Sequence, residues 1–242
     1  MSFRFESLRR SLLAGERMVA FTRADDDALG SRLLVWHDGR TEGTLRSPDL
    51  DRAATTLATG QDLPATGLRE IDGTEVFVEN FEPLPQLFIV GAVHVAIHLV
   101  HFARQLGFRT VIVDARSAFA TAERFPHADE LIVEWPAEYL ARTTLHANTF
   151  CVFLTHDEKL DNPALQVALE AGVRYVGALG SSRTHAKRVA ALRETGLASE
   201  LIDRIHAPIG LDLGGRKPEE IALAIAAELV AVRSGRLPAG ER

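Results

Sequence analysis

The segment Thr155-His156-Asp157-Glu158-Lys159-Leu160-Asp161 sets an imidazole beside carboxylates that could orient or charge it. Histidine is the side chain best suited to proton transfer near neutrality, so binding or acid–base work is the chemistry to expect there. A second segment, Gly91-Ala92-Val93-His94-Val95-Ala96, overlays the G-x-G-x-x-G/A turn of dinucleotide-binding proteins. Gly91 can make the tight turn and Ala96 is an accepted third residue, but Val93 replaces the middle glycine and should crowd a pyrophosphate. Asp114 follows 23 residues after Gly91, where a carboxylate can hold a ribose hydroxyl. The alternative is a turn of the same shape that binds nothing.

Gly177-Ala178-Leu179-Gly180-Ser181-Ser182-Arg183 offers glycines, a capping serine and an arginine, a combination that attracts phosphate to a helix start. An ordinary well-capped helix has the same composition. Asp212 lies in Pro208-Ile209-Gly210-Leu211-Asp212-Leu213-Gly214-Gly215, which is no P-loop, because Arg216 and Lys217-Pro218 replace the lysine and hydroxyl. His94, His98 and His101 share one helix face, yet no carboxylate neighbours them and no His-Glu-x-x-His is present, so no metal site is expected. Cys151 lies inside an apolar run and reads as buried and inert.

These segments need elements to hold them. The 242 residues are 46% hydrophobic and 25% charged, which excludes a disordered chain. Net charge is −6 without a basic run, so no nucleic-acid partner is expected. The longest apolar run, about Leu87 to Val93, is far too short to span a membrane. One cysteine fits a reducing compartment, and charges scattered through Met1 to Phe21 exclude a signal peptide, so a cytoplasmic protein is expected.

Residues 1–84 read as a small α+β domain. A helix is expected over Phe5–Leu13, strands at Met18–Thr22, Arg32–Trp36, Thr41–Leu45 and Thr74–Val78, and a helix at Asp49–Leu57. Asp38-Gly39 marks a hairpin. Glu82-Pro83-Leu84-Pro85 ends this part, because each proline pushes its predecessor out of helical geometry. Residues 85–242 change rhythm. Unbroken apolar runs at Leu87–Val90, Val111–Val113, Leu131–Val133, Thr149–Leu154 and Val173–Val176 predict strands buried on both faces. Helices are expected at Val95–Leu106, Pro163–Ala171, Thr184–Glu194 and from Pro218, the last with two apolar stripes and deep burial. The fold class is α/β, a Rossmann-like doubly wound parallel sheet with a smaller N-terminal α+β domain.

Ordered pieces through residues 86–232 resemble the XdhC/CoxI family of xanthine dehydrogenase accessory proteins. They are Gly91-Ala92-Val93-His94-Val95, Val113-Asp114, Glu123-Arg124-Phe125-Pro126, Thr155-His156-Asp157, Tyr175 to Ser181, Ala207 to Asp212 and Pro218 to Ala222. The resemblance implies an N-terminal XdhC/CoxI domain, a C-terminal Rossmann domain and a homodimer. It also implies a chaperone that binds molybdenum cofactor, as molybdopterin or its dinucleotide, and delivers it to an apo molybdenum hydroxylase, with a cysteine desulfurase as a further partner. Transferred to this chain, the binding role falls on Gly91, Ala92, His94, Asp114, His156, Asp157, Gly180, Ser181, Arg183 and Asp212, with no catalytic residue.

Two departures stand out. Val93 fills the family's middle glycine, and Asp49 in Ser47-Pro48-Asp49-Leu50-Asp51 occupies the place of a family cysteine that handles sulfur. The competing expectation is an NAD(P)-dependent oxidoreductase with His156 as proton donor; Val93 argues against it, and Asp114 would disfavour the extra phosphate of NADP.

Overall fold

Alternating apolar residues build the first part of the chain and unbroken apolar runs the second, in a computed structural model that describes residues 2–13, 16–60, 64–81 and 84–237. The chain forms two compact units, Met1–Pro83 and Leu84–Arg242. Glu82 and Pro83 of the proline-marked boundary lie outside the described residues, as do the side chains of Phe5 and Leu13.

The first unit runs α1 (Ser2–Leu13), β1 (Met18–Arg23), β2 (Arg32–Trp36), β3 (Thr41–Gly43), α2 (Pro48–Thr59), β4 (Gly67–Ile71) and β5 (Thr74–Phe81). Its sheet is antiparallel throughout, in the order β3-β2-β1-β5-β4. Alternate residues serve opposite faces. Val19, Phe21, Leu33 and Val35 pack with Leu50 and Ala54 of α2, while Met18, Ala20, Leu34 and Trp36 cluster with Leu8 of α1. Gly39 turns the β2–β3 hairpin at φ +86°. Strand β4 has no alternation to betray it, because Leu68, Arg69 and Glu70 are all exposed at the sheet's edge. Ser47 caps α2, and Asp51 in its first turn accepts from Thr44 Oγ1 and Leu45 N, both at 2.7 Å. Asp49 is exposed and paired with Arg52.

The second unit runs β6 (Gln86–Val90), α3 (His94–Gln105), β7 (Arg109–Val113), β8 (Glu130–Ile132), α4 (Pro136–Arg142), β9 (Thr149–Phe153), α5 (Glu158–Glu170), β10 (Tyr175–Ala178), α6 (Ser182–Glu194), α7 (Ser199–Ile202), β11 (Ile205–His206) and α8 (Pro218–Arg233). All six strands are parallel, in the order β11-β10-β9-β6-β7-β8. Helices α3 and α8 cover one face, and α4, α5 and α6 the other. This is a doubly wound Rossmann sheet, so β9 is buried throughout and apolar from Phe150 onward because both its faces are covered. Burying one phenylalanine such as Phe150 contributes about 1.5–3 kcal/mol. The strand order reverses between β6 and β9, which opens a crevice beyond their carboxyl ends.

Several boundaries differ from expectation. Helix α5 begins at Glu158, with Pro163 inside it, because Asp157 caps the helix five residues earlier by accepting from Lys159 N at 2.9 Å. Gly177 and Ala178 belong to β10 rather than to the following loop. Helix α8 starts at Pro218 as expected; of its second stripe Ala226 is buried and Val230 partly so, whereas Leu223 is 49% exposed. Among the described residues, no helix is long and apolar enough to cross a membrane.

Candidate functional site

The β6–α3 turn lies at the point where the sheet changes direction. Gly91 has φ +111°, and a Cβ there would stand 2.8 Å from Thr155 Cγ2 and 3.1 Å from Thr155 N. Glycine is therefore required by the close approach of the β9 end as well as by backbone conformation. Val93 sits at the N-cap of α3 and supplies no side-chain acceptor to the first turn. His94, the first residue of the helix, is exposed.

Asp114 is turned inward. It is fully buried and accepts from Ala92 N at 2.8 Å, from Arg116 N at 3.0 Å, and from Arg116 Nε and Nη2 at 2.9 and 2.8 Å. Burial pushes this carboxyl up, but the bonds from Arg116 and the two backbone amides outweigh it and hold it below the usual carboxylate range. The buried carboxylate of Asp114 thus holds the turn through the Ala92 N–H and is paired with Arg116, while Gly91 N donates to Val113 O at 2.9 Å.

On the other side of the crevice, His156 is exposed and has φ +61°, a left-handed conformation that costs a non-glycine residue about 1–2 kcal/mol. Thr155 Oγ1 accepts from Asp157 N at 3.0 Å and donates to Asp161 Oδ1 at 2.7 Å. Asp161 is buried, and burial lifts its carboxyl from the ordinary 3.8 to about 6, against the pull of the Thr155 hydroxyl and of Arg188. Arg188, buried on α6, donates from Nη2 to Leu179 O at 3.1 Å. Among the described residues Asp161 Oδ2 and Arg188 Nε and Nη1 have no hydrogen-bond partner.

Because the folded pKa of Asp161 is raised, its contribution to stability is complete below pH about 4 and is lost as pH rises through about 6. Asp161→Asn should therefore stabilise the protein at pH 7.5 and leave it unchanged at pH 4. The gain should be about 1–2 kcal/mol, short of the roughly 3 kcal/mol of the full shift, because an amide accepts the Thr155 bond less well than a carboxylate. Urea unfolding at the two pH values measures this. Destabilisation at pH 7.5 would mean that attraction to Arg188 outweighs the cost of burial.

At the β10 end, Gly180 has φ +142° and Ser181 caps α6 by accepting from Thr184 N at 3.2 Å. Arg183 is exposed on the first turn of α6. Asp212 lies in the loop after β11 and accepts from Gly214 N at 3.2 Å, within its own loop. That loop is anchored deeper in the fold by Glu228 of α8. Its fully buried carboxylate accepts from Gly210 N at 2.7 Å and from the Tyr175 hydroxyl, with His206 Nδ1 at 3.3 Å.

The strand ends thus bring Gly91, Ala92, Asp114 and Thr155 into one constellation, with His156 and Asp157 following directly on Thr155. Gly180, Ser181 and Arg183 follow from β10, beside β9. Asp212 lies after β11, the edge strand beside β10, and accepts within its own loop. The ring of His101 lies 4.6 Å from that of His127, and no group of three or more His, Cys, Asp or Glu among the described residues could hold a metal ion. Reading the sequence missed Arg116, Phe119 and Arg188, named Asp161 only as a carboxylate that could orient His156, and quoted Arg124 only within a family piece. Only the spacing of Arg116 two residues after Asp114 could have signalled the first of them, as a local pair at a strand end.

Residues 87–229, more than half of the chain, match the family model of the XdhC Rossmann domain. A probable xanthine dehydrogenase subunit of Bacillus subtilis (strain 168) is 29% identical over 160 residues, covering 66% of this chain and 46% of its own length. The molybdenum cofactor insertion chaperone PaoD of Escherichia coli (strain K12) is 31% identical over 163 residues, covering 67% of this chain and 44% of its own. The chain therefore spans less than half the length of these two relatives. A xanthine dehydrogenase structure from Bacillus halodurans superposes with a TM-score of 0.74 and 26% identity, covering 96% of this chain and 67% of that one. The matched family region coincides with the unit that forms the crevice, and on that ground this chain belongs to the XdhC family.

Proposed function

We propose that this protein binds molybdenum cofactor in the strand-end crevice of its Rossmann domain and delivers it to an apo molybdenum hydroxylase of the xanthine dehydrogenase type. The observation that carries this reading is the sequence shared with the PaoD chaperone over 163 residues, about as long a stretch as the second unit itself. The donor set fits such a cargo. Molybdopterin carries a phosphate and a planar pterin, and the crevice offers arginines, an exposed histidine and the N-termini of α3, α5 and α6. Binding, orientation and release are the tasks of this chain's residues, with His156 and Asp157 at the rim holding the pterin side of the cargo.

Sulfur chemistry falls to a partner in this reading. The sole cysteine, Cys151, is fully buried in β9 with its thiol pushed far above the ordinary range by burial, so no thiolate is available to carry sulfur. Asp49, at the family's cysteine position, is held by Arg52. A cysteine desulfurase or a paralogue with the thiol would supply sulfur to the cofactor bound here. A cytoplasmic homodimer, with residues 1–84 as its XdhC/CoxI domain, belongs to the same proposal.

The test is titration of the purified protein with molybdenum cofactor, followed by calorimetry, with NAD and NADP as competitors. Saturable binding that NAD does not displace supports the chaperone; binding of NAD without molybdenum cofactor overturns it in favour of an oxidoreductase. In the same assay His156→Ala should weaken cofactor binding about tenfold, the loss of roughly one charge-assisted contact. Its melting temperature should stay within about 2 °C, since an exposed side chain contributes little to stability. Intact binding with a large drop in melting temperature would make His156 structural.

A further inference from the structure

Phe119 is 43% exposed beside the β6–α3 turn, between two arginines whose positions are set by other bonds. The guanidinium carbon of Arg116 lies 4.5 Å from the centre of its ring, and that of Arg124 lies 5.9 Å from it. Arg116 is locked by its two-pronged grip on buried Asp114. Arg124 Nη1 donates to Ala92 O at 2.8 Å and to Phe119 O at 2.6 Å. These contacts leave Arg116 Nη1 and Arg124 Nε and Nη2 without a protein acceptor among the described residues, on side chains that are already immobilised. Asp114 neutralises Arg116, whereas Arg124 has no carboxylate partner among the described residues, so the cluster carries a net positive charge. Asp157 and Asp161 act on Arg116 from the α5 side, which leaves Arg124 as the attractive end.

We infer that Arg116, Phe119 and Arg124 form a preorganised subsite for a phosphomonoester attached to a planar heterocyclic ligand. The phosphate takes the free donors of Arg124 and Arg116, and Phe119 holds both guanidinium planes in place by cation–π contact. A phosphodiester inside a dinucleotide bridge presents less charge to Arg124 than a terminal phosphate, which is dianionic near neutrality. The subsite therefore selects ligands by their terminal phosphate. This deepens the reading of the same crevice proposed above, but it does not require that the heterocycle be a pterin.

Two ligand pairs that differ by one phosphomonoester test it: neopterin 3′-phosphate against neopterin, and NADP against NAD. Binding is measured by calorimetry on the intact protein, with Arg124→Gln and Phe119→Leu as variants. In at least one pair the phosphorylated member should bind about tenfold tighter or better, the yield of one or two charge-assisted hydrogen bonds. Arg124→Gln should abolish that preference and Phe119→Leu should reduce it, with thermal unfolding checking that both variants are folded. A preference confined to the NADP pair supports the subsite and overturns the pterin as cargo. Equal affinities within both pairs, or a preference that survives Arg124→Gln, overturn the subsite and leave the chaperone reading to its own test. If Arg124→Gln does not fold, Arg124→Lys decides. It keeps the charge but loses the fork, so the preference should fall and become steeply salt-dependent; an unchanged preference would overturn the subsite.

Discussion

Glu228→Ala is expected to cost about 3–5 kcal/mol of stability, the usual loss when one member of a buried charged network is removed. Glu228 is fully buried on α8, and its carboxylate ties three elements together: the Tyr175 hydroxyl of β10, His206 of β11 and the Gly210 amide of the loop beyond. Truncation takes away the acceptor these groups use and leaves a cavity among Tyr175, Ile209 and Ile225. Glu228→Gln keeps the volume and one acceptor oxygen, so it should cost about 1–2 kcal/mol. Urea unfolding of the two variants measures the difference. Amide exchange at Gly210 and Leu211 should quicken in Glu228→Ala well before global unfolding, because the loop that carries Asp212 loses its anchor. A cost below about 1 kcal/mol would show that the network contributes little net energy.

Gly91→Ala should have the second largest effect, about 2–4 kcal/mol, and should also abolish binding in the crevice. Its Cβ would meet Thr155 Cγ2, Thr155 N and Leu154 C at 2.8, 3.1 and 3.3 Å, and two of these are backbone atoms. They cannot retreat easily, because β9 is paired with β6 through Val90 and Phe153 and Leu154 N donates to Val90 O at 2.8 Å. The turn must shift instead, pulling Ala92 away from Asp114 and Arg124. Gly107 supplies the control. It has φ +80° and open space within 4 Å of where a Cβ would stand, so Gly107→Ala should cost only the conformational part, about 1 kcal/mol. Thermal unfolding of both variants isolates the steric contribution of the close approach. Equal costs would mean that the β9 end yields.

The class of each half and much of what lies at the strand ends are legible in local runs of residues. Leu87–Val90, Val111–Val113 and Phe150–Leu154 are unbroken apolar runs because strands covered on both faces have no solvent side, and that record is local. Asp38-Gly39 encodes its hairpin just as locally, through a residue that accepts positive φ. Short or exposed elements leave no such record: β11 is two residues long, and β4 turns Leu68, Arg69 and Glu70 outward. Cap chemistry overrode a proline at α5, where Asp157 started the helix before Pro163.

Which polar residues pair within the scaffold follows from contacts between distant parts of the chain. Asp114 stands where a ribose-binding carboxylate would, yet it turns inward to an amide 22 residues away, because Arg116 neutralises it there. Arg124 reaches Ala92 across 32 residues and Tyr175 reaches Glu228 across 53. Such partnerships depend on strand order, since parallel strands bring together chain ends that their crossovers keep far apart in sequence. Apolar burial is written along the chain at the spacing of a strand or helix, whereas the pairing of charges is settled only when the sheet has closed.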